Sequence, residues 1–217
     1  MPPQNSASRR IKNISISKPI IYGNVAEKIS ESNPLPEGAP ADHSHTWKVF
    51  VADPLGNDLS SYIRKVVFKL HETYNNPTRS IEEPPFEVTE TGWGEFEIAI
   101  KIYFNNDCGE KNITLYHHLK LHPYGPQLEE SQRTGKVESI LFDEIVFNEP
   151  TERMFKLLTS KPGSLLPYKS ETSKFTKEAE RQELDRIEKA FDEIKKQIDE
   201  KSVEFKELEE QRQRLAT

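Results

Sequence analysis

The sequence predicts an all-β antiparallel sandwich followed by a C-terminal α-helical coiled coil. Three observations carry that expectation. Between residues 11 and 150, short segments alternate apolar and polar side chains and are separated by turn-forming clusters, which is the period of half-buried strands. Neither a G-x-G-x-x-G motif nor a regular strand–helix alternation occurs, so a doubly wound parallel sheet is disfavoured. From residue 176 onward the apolar residues recur in steps of three and four, with no Pro or Gly, as in a heptad seam.

The elements follow in order. In "IKNISISKPIIYG", Ile11, Ile14 and Ile16 alternate imperfectly, and the strand is expected to stop at Gly23. "NPLPEGAPAD", residues 33–42, is a Pro-rich loop expected at the surface. "HTWKVFVADP" places Trp47, Val49 and Val51 on one face and is closed by the turn cluster "DPLGND". "IRKVVFKLH" aligns Val66, Phe68 and Leu70, and "PPFEVTE" supplies Phe86 and Val88. In "EFEIAIKIYF", Phe96, Ile98, Ile100, Ile102 and Phe104 point one way, with Glu97, Ala99, Lys101 and Tyr103 opposite. "NITLYHHLKLHPYG" aligns Ile113, Leu115, His117, Leu119 and Leu121, which puts His117 inward and His118 outward. "VESILFDEIVFNEP" carries two short apolar clusters. Seven or eight short strands result, a sandwich count. A short helix is expected over residues 151–159, ending before Lys161-Pro162-Gly163. The division is therefore a sandwich over residues 11–160, a linker over 161–175 and a coiled coil over 176–217.

The coiled-coil expectation rests on Leu184, Ile187, Phe191, Ile194, Ile198, Phe205, Leu208 and Leu215, with Lys201 and Arg212 filling the two missing seam places. Acidic residues facing those two cations would favour a heteromeric partner. Asp185–Lys189 and Asp192–Lys196 read as i,i+4 ion pairs, each contributing ~0.3 kcal/mol.

Composition narrows the class. Hydrophobic residues make up 34% and charged residues 30%, too polar for one compact globule of this length, so part of the chain is expected to be linker or solvated helix. The net charge of −6 argues against broad nucleic-acid binding, and no direct nucleic-acid contact is expected. A single cysteine, Cys108, fits a reducing compartment. No apolar run approaches the ~20 residues that span a bilayer, and "MPPQNSASRRIKN" lacks the apolar centre of a signal peptide. A cytosolic or nuclear protein without membrane contact is the expectation.

Candidates for chemistry are few. The six histidines come without a C-x-x-C or H-E-x-x-H spacing, so neither a metal nor a cofactor is expected. Cys108 lies in the turn "NNDCGEK" with no base placed beside it, and no G-x-S-x-G occurs. The chain is not expected to be an enzyme. Gly92-Trp93-Gly94 is different: an indole between two glycines opens an otherwise polar turn. "LHETYNNP" ends a strand with His71, Thr73 and Tyr74, and "ADHSHTW" places His43 just before another strand. Loops of a sandwich gather at its two ends. Rings on converging loops beside glycine-bared backbone describe a slot for something flat, narrow and mostly apolar.

These stretches carry a resemblance. "HTWKVFV", "KVVFKLHETY", "PPFEVTETGWGEF", "LYHHLKLHPYG" and "FDEIVFNEP" are similar to the YEATS domain over about residues 11–155. The resemblance is to short fungal and animal members with a C-terminal coiled coil, which are shared subunits of a histone-variant-exchange remodeller and a histone acetyltransferase complex. It implies an immunoglobulin-like sandwich, a nuclear location and the reading of acetyl- or crotonyl-lysine on histone tails. It further implies that His43, His71, Tyr74, Trp93 and Phe96 form an aromatic slot. Thr73 would meet the acyl-lysine amide, and the Trp93 backbone N–H would donate to the acyl carbonyl, with Gly92 and Gly94 allowing close approach. Many relatives have Ser at the place of Thr73, and some an acidic residue at that of His118. Two other readings are a structural adaptor or histone-chaperone-like scaffold without acyl-lysine recognition, and a deacylase.

Overall fold

The computed structural model describes residues 9–125, 127–160, 166–170 and 173–215. Eight strands are present among them: β1 (Ser15–Lys28), β2 (His45–Ala52), β3 (Ile63–Lys69), β4 (Thr78–Ile81), β5 (Phe86–Gly92), β6 (Glu97–Phe104), β7 (Ile113–His118) and β8 (Lys136–Asn148). They form two four-stranded antiparallel sheets, one in the order β5-β2-β1-β8 and the other β4-β3-β6-β7. The alternating residues become the core. Trp47, Val49 and Val51 face Val66, Phe68, Ile98, Ile100 and Ile102 across the sandwich, all buried. Each such side chain contributes roughly 1.5–3 kcal/mol on burial.

One strand expectation needs correction. The first strand does not end at Gly23 but runs on to Lys28. A side chain at Gly23 would collide with the Ser139 carbonyl of β8, so this glycine marks a close approach of two backbones. The two apolar clusters near residue 140 belong to one thirteen-residue strand, β8, which pairs with β1 along its whole length. Asp143 and Glu144 interrupt its apolar pattern but are exposed, on a strand at the sheet edge.

Helix α1 (Gln127–Thr134), on the approach to β8, had no periodic apolar signal in the sequence. It closes at Gly135, whose N–H donates to the Ser131 carbonyl and whose φ of +72° suits glycine. Helix α2 (Glu152–Thr159) falls where expected. Thr151 caps it by accepting from the Met154 N–H, while its hydroxyl donates to the Cys108 carbonyl at 2.7 Å. Cys108 is fully buried, and burial pushes its thiol pKa up, which keeps it protonated and unreactive.

The chain divides into two compact units, residues 1–165 and 166–217. The second consists mainly of α3 (Lys177–Leu215), capped by the Thr176 hydroxyl, which accepts from the Ala179 N–H. The eight apolar seam residues are each more than half exposed. Among the described residues, the ion pairs within this helix are Glu183–Arg186, Lys196–Glu200, Lys201–Glu204 and Glu210–Arg214. The expected Asp185–Lys189 and Asp192–Lys196 pairs are not among them. Aspartate is one methylene shorter than glutamate, and these exposed charges have competing neighbours. The linker expected over 161–175 lies partly outside the described residues, as do Lys161-Pro162-Gly163.

One buried polar cluster joins the sheets. Asn24 of β1 donates through Nδ2 to the Lys120 carbonyl, and its Oδ1 accepts from the Lys120 N–H. The same Oδ1 lies 2.8 Å from His117 Nε2, which fixes that nitrogen as a donor. His117 therefore points inward, as the alternation required. Its Nδ1 is buried without a partner. Burial, then the neighbouring charges of His118 and Lys120, lower its pKa to about 4.

On unfolding this imidazole returns to an ordinary pKa of about 6.5. Between about 4 and 6.5 the unfolded chain binds a proton that the folded one refuses, so stability is full above that window and falls as pH drops through it. The full effect is on the order of 3 kcal/mol. Urea unfolding across the acid range is expected to show this loss, and His117→Gln, whose amide still donates to Asn24, to flatten it.

Candidate functional site

Strand register brings three loops together. His45 of β2 pairs with Gly92 of β5, and Lys69 of β3 pairs with Ala99 of β6. The start of β2, the end of β3, the end of β5 and the start of β6 therefore share one end of the sandwich. The segment before β2 carries His43, the β3–β4 loop carries His71, Thr73 and Tyr74, and the β5–β6 bend carries Trp93, Gly94 and Phe96.

The floor is Trp47, 1% exposed. Tyr74 and Phe96 stand edge-on to its indole, with centroids 5.8 and 6.0 Å away at interplanar angles of 83° and 75°. Tyr74 and Phe96 are 5.6 Å apart, and His71 lies 5.9 Å from Phe96. Such pairs contribute about 0.5–1.5 kcal/mol each beyond area burial. The structure brings the rings of His71, Tyr74 and Phe96 together and adds Trp47, which the sequence presented only as a core residue.

Hydrogen bonds fix the ring positions. The Tyr74 hydroxyl donates to the Thr91 carbonyl at 3.0 Å. Burial raises the Tyr74 pKa, the Trp47 indole beside it opposes that rise, and Glu90 adds to it. Among the described residues, Trp47 Nε1 nevertheless does not reach hydrogen-bond geometry with any group. His43 Nδ1 bonds the Thr91 hydroxyl at 2.7 Å. Thr91 therefore braces two site residues, and its position in "TETGWG" gave no hint of that. The β3–β4 loop is held by Arg79, which donates to the Asn75 and Asn76 carbonyls and pairs with Glu90 of β5. His71 Nδ1 accepts from the Thr73 N–H at 3.4 Å and lies 3.0 Å from the Thr73 hydroxyl. With Nδ1 accepting, the hydroxyl would donate to the same nitrogen and keep its oxygen lone pairs for a ligand.

The two glycines differ. A side chain at Gly92 would strike the Tyr74 hydroxyl and crowd Trp47 Nε1 at 3.3 Å. Gly92 thus makes room for the protein's own tyrosine. Beside Gly94 there is open space. Trp93 between them is 65% exposed, and among the described residues no ring contact reaches it. No cluster of potential metal ligands occurs among the described residues, and no helix is long and apolar enough to cross a membrane.

An immunoglobulin-like sandwich that gathers aromatic rings from the loops at one end defines a class, the loop-based recognition modules. Residues 42–123 match the YEATS family. The chain is 52% identical over 206 residues to the Protein AF-9 homolog of Kluyveromyces lactis, with 90% of this chain and 93% of that one covered. The crystal structure of the yeast AF-9 homolog protein Yaf9 superposes with a TM-score of 0.64 at 55% identity, over 71% of this chain and 99% of that chain. The Yaf9 YEATS domain bound to H3K27ac gives 0.62 at 54% identity, over 71% and 100%. The chain belongs to the YEATS family.

Tyr74→Phe should lower stability by about 1 kcal/mol through loss of the bond to Thr91. Gly92→Ala should cost more, on the order of 1–3 kcal/mol. Because the new methyl strikes the Tyr74 hydroxyl first, the double variant should be more stable than the sum of the single losses implies, as a denaturation cycle would measure.

Proposed function

We propose that this chain reads acyl-lysine on histone tails through the recess of His43, His71, Thr73, Tyr74, Gly92, Trp93, Gly94 and Phe96. The observation that carries this reading is the packing of Tyr74 and Phe96 on Trp47 with His71 beside them, the Thr73 hydroxyl against His71, and no acidic residue among the eight named. The H3K27ac-bound relative supports it. The acyl amide would donate its N–H to Thr73, and the Trp93 backbone N–H would donate to the acyl carbonyl.

The energetics favour a neutral amide over an ammonium. Drawing an unmodified lysine out of water forfeits roughly 5 kcal/mol or more unless a carboxylate meets it. Cation–π attraction returns only ~0.5–2 kcal/mol. Acylation removes the charge and leaves a planar group. Stacking then contributes roughly 0.5–1.5 kcal/mol per ring and each hydrogen bond about 1 kcal/mol. Selectivity arises from exclusion of the charged form, and absolute affinity is modest. A recess open at its far side also accommodates flat, longer acyl groups such as crotonyl.

We further infer that the exposed seam of α3 docks the chain, as a non-catalytic subunit, onto a partner helix with acidic residues opposite Lys201 and Arg212. In this reading the sandwich spans residues 11–160, the linker 161–175 and the coiled coil 176–217. The chain works in the nucleus as a subunit shared by a histone-variant-exchange remodeller and a histone acetyltransferase complex. Weak single-site binding suits such an arrangement, because the other contacts of the complex raise the effective concentration.

Calorimetric titration with acetylated and unmodified histone H3 peptides is the test. The acetylated peptide is expected to bind at least ~10-fold more tightly, and Trp93→Ala to abolish most of the difference. Equal binding of both peptides would leave the adaptor reading in its place, and turnover of the acyl peptide would restore the deacylase. Truncation after Pro167 is expected to preserve peptide binding while co-purifying partners are lost, and their retention would remove the docking role of α3.

A further inference from the structure

We propose that Glu95 is a positioning residue for the recess. Its side chain fastens the bend carrying Trp93 and Phe96 to the chain leaving β7, and so sets the direction of the Trp93 backbone N–H. The inference rests on the acyl-lysine reading above.

Trp93 has little to hold it. Its ring is mostly exposed, no ring contact reaches it among the described residues, and Gly94 follows with open space beside it. The backbone on either side must therefore fix its direction. On one side Gly92 is paired in the sheet opposite His45, and its carbonyl accepts from the Ser44 N–H. On the other side stands Glu95. Its Oε1 accepts from the N–H groups of Leu121 at 2.8 Å and His122 at 3.1 Å, and its Oε2 accepts from the Lys120 ammonium at 3.2 Å. The Phe96 carbonyl completes the seam by accepting from the Leu119 N–H at 2.8 Å. β7 has ended at His118, so the carboxylate takes the place of a strand partner for Leu121 and His122.

The segment that Glu95 grips is itself anchored. Asn24 holds both backbone groups of Lys120. The His122 ring stands edge-on to His45, the first residue of β2, at 5.2 Å. Burial pushes the Glu95 carboxyl up, and the bonds from Leu121, His122 and Lys120 together outweigh it, holding its pKa below the ordinary range. The carboxylate is thus the link between a rigid part of the sandwich and the bend that faces the ligand. A merely electrostatic role, a partly exposed ion pair with Lys120, is the competing account, and pairs open to solvent contribute little.

The geometry separates the two. Both backbone N–H groups converge on Oε1, and the ammonium faces Oε2. Glu95→Gln keeps an oxygen in reach of both N–H groups and gives up the charge. Glu95→Asp keeps the charge and gives up the reach. The full chain, labelled with fluorotryptophan at Trp47 and Trp93, would be titrated with acetylated H3 peptide and followed by fluorine NMR. Glu95→Gln is expected to bind within about twofold of the native protein and Glu95→Asp ~10-fold more weakly, the cost of lost preorganisation. Glu95→Asp should shift or broaden the Trp93 resonance while that of buried Trp47 stays in place. Native affinity for Glu95→Asp, a loss in Glu95→Gln as large as in Glu95→Asp, or equal movement of both resonances would overturn the proposal. Should the native protein not bind the peptide, the acyl-lysine reading fails, and the Trp93 resonance of Glu95→Asp still decides whether Glu95 holds the bend.

Discussion

The recess depends on one contact above all, the edge-on packing of Tyr74 and Phe96 against the buried indole of Trp47. Those three rings come from a strand of one sheet, a loop of the other and the bend that crosses between them. Sheet packing fixes Trp47, and Trp47 in turn fixes where the two loops can stand. Gly92 belongs to the same constraint, since only a residue without a side chain leaves room for the Tyr74 hydroxyl to reach Thr91. The outer parts, His43, Thr73 and Trp93, are arranged on this base through single hydrogen bonds or backbone direction.

Much of the fold was legible because one physical rule dominated it. Strict alternation in β2, β3, β6 and β7 identified the inward residues, down to the opposite orientations of His117 and His118. The rule failed where a second requirement overrode it. Gly23 looked like a terminator, although it sits mid-strand because two backbones touch. Asp143 and Glu144 separate two apolar clusters within one strand, because an edge strand tolerates charges that a central one would reject. Helix α1 is short and polar, so no periodicity announced it.

The site was legible in its rings and illegible in its supports. Aromatic and imidazole residues at strand ends are conspicuous in a sequence. Trp47 looked like any alternating core residue, and Thr91 and Glu95 looked like ordinary polar residues of a turn. Their roles depend on bonds between segments far apart in the chain, Thr91 to His43 and Glu95 to Leu121 and His122. Such contacts leave no periodic trace. Net charge was an equally blunt guide, because a sum of −6 does not say where the 36 acidic residues lie.

The carboxylates at the middle of β8 have a further consequence. A thirteen-residue strand at the margin of a sheet offers a long row of unsatisfied backbone groups, an invitation to sheet extension by a second copy. Asp143 and Glu144 place adjacent negative charges midway along that row. An incoming β8 from another molecule would bring its own pair alongside, so like-charge repulsion would oppose sheet extension at this margin.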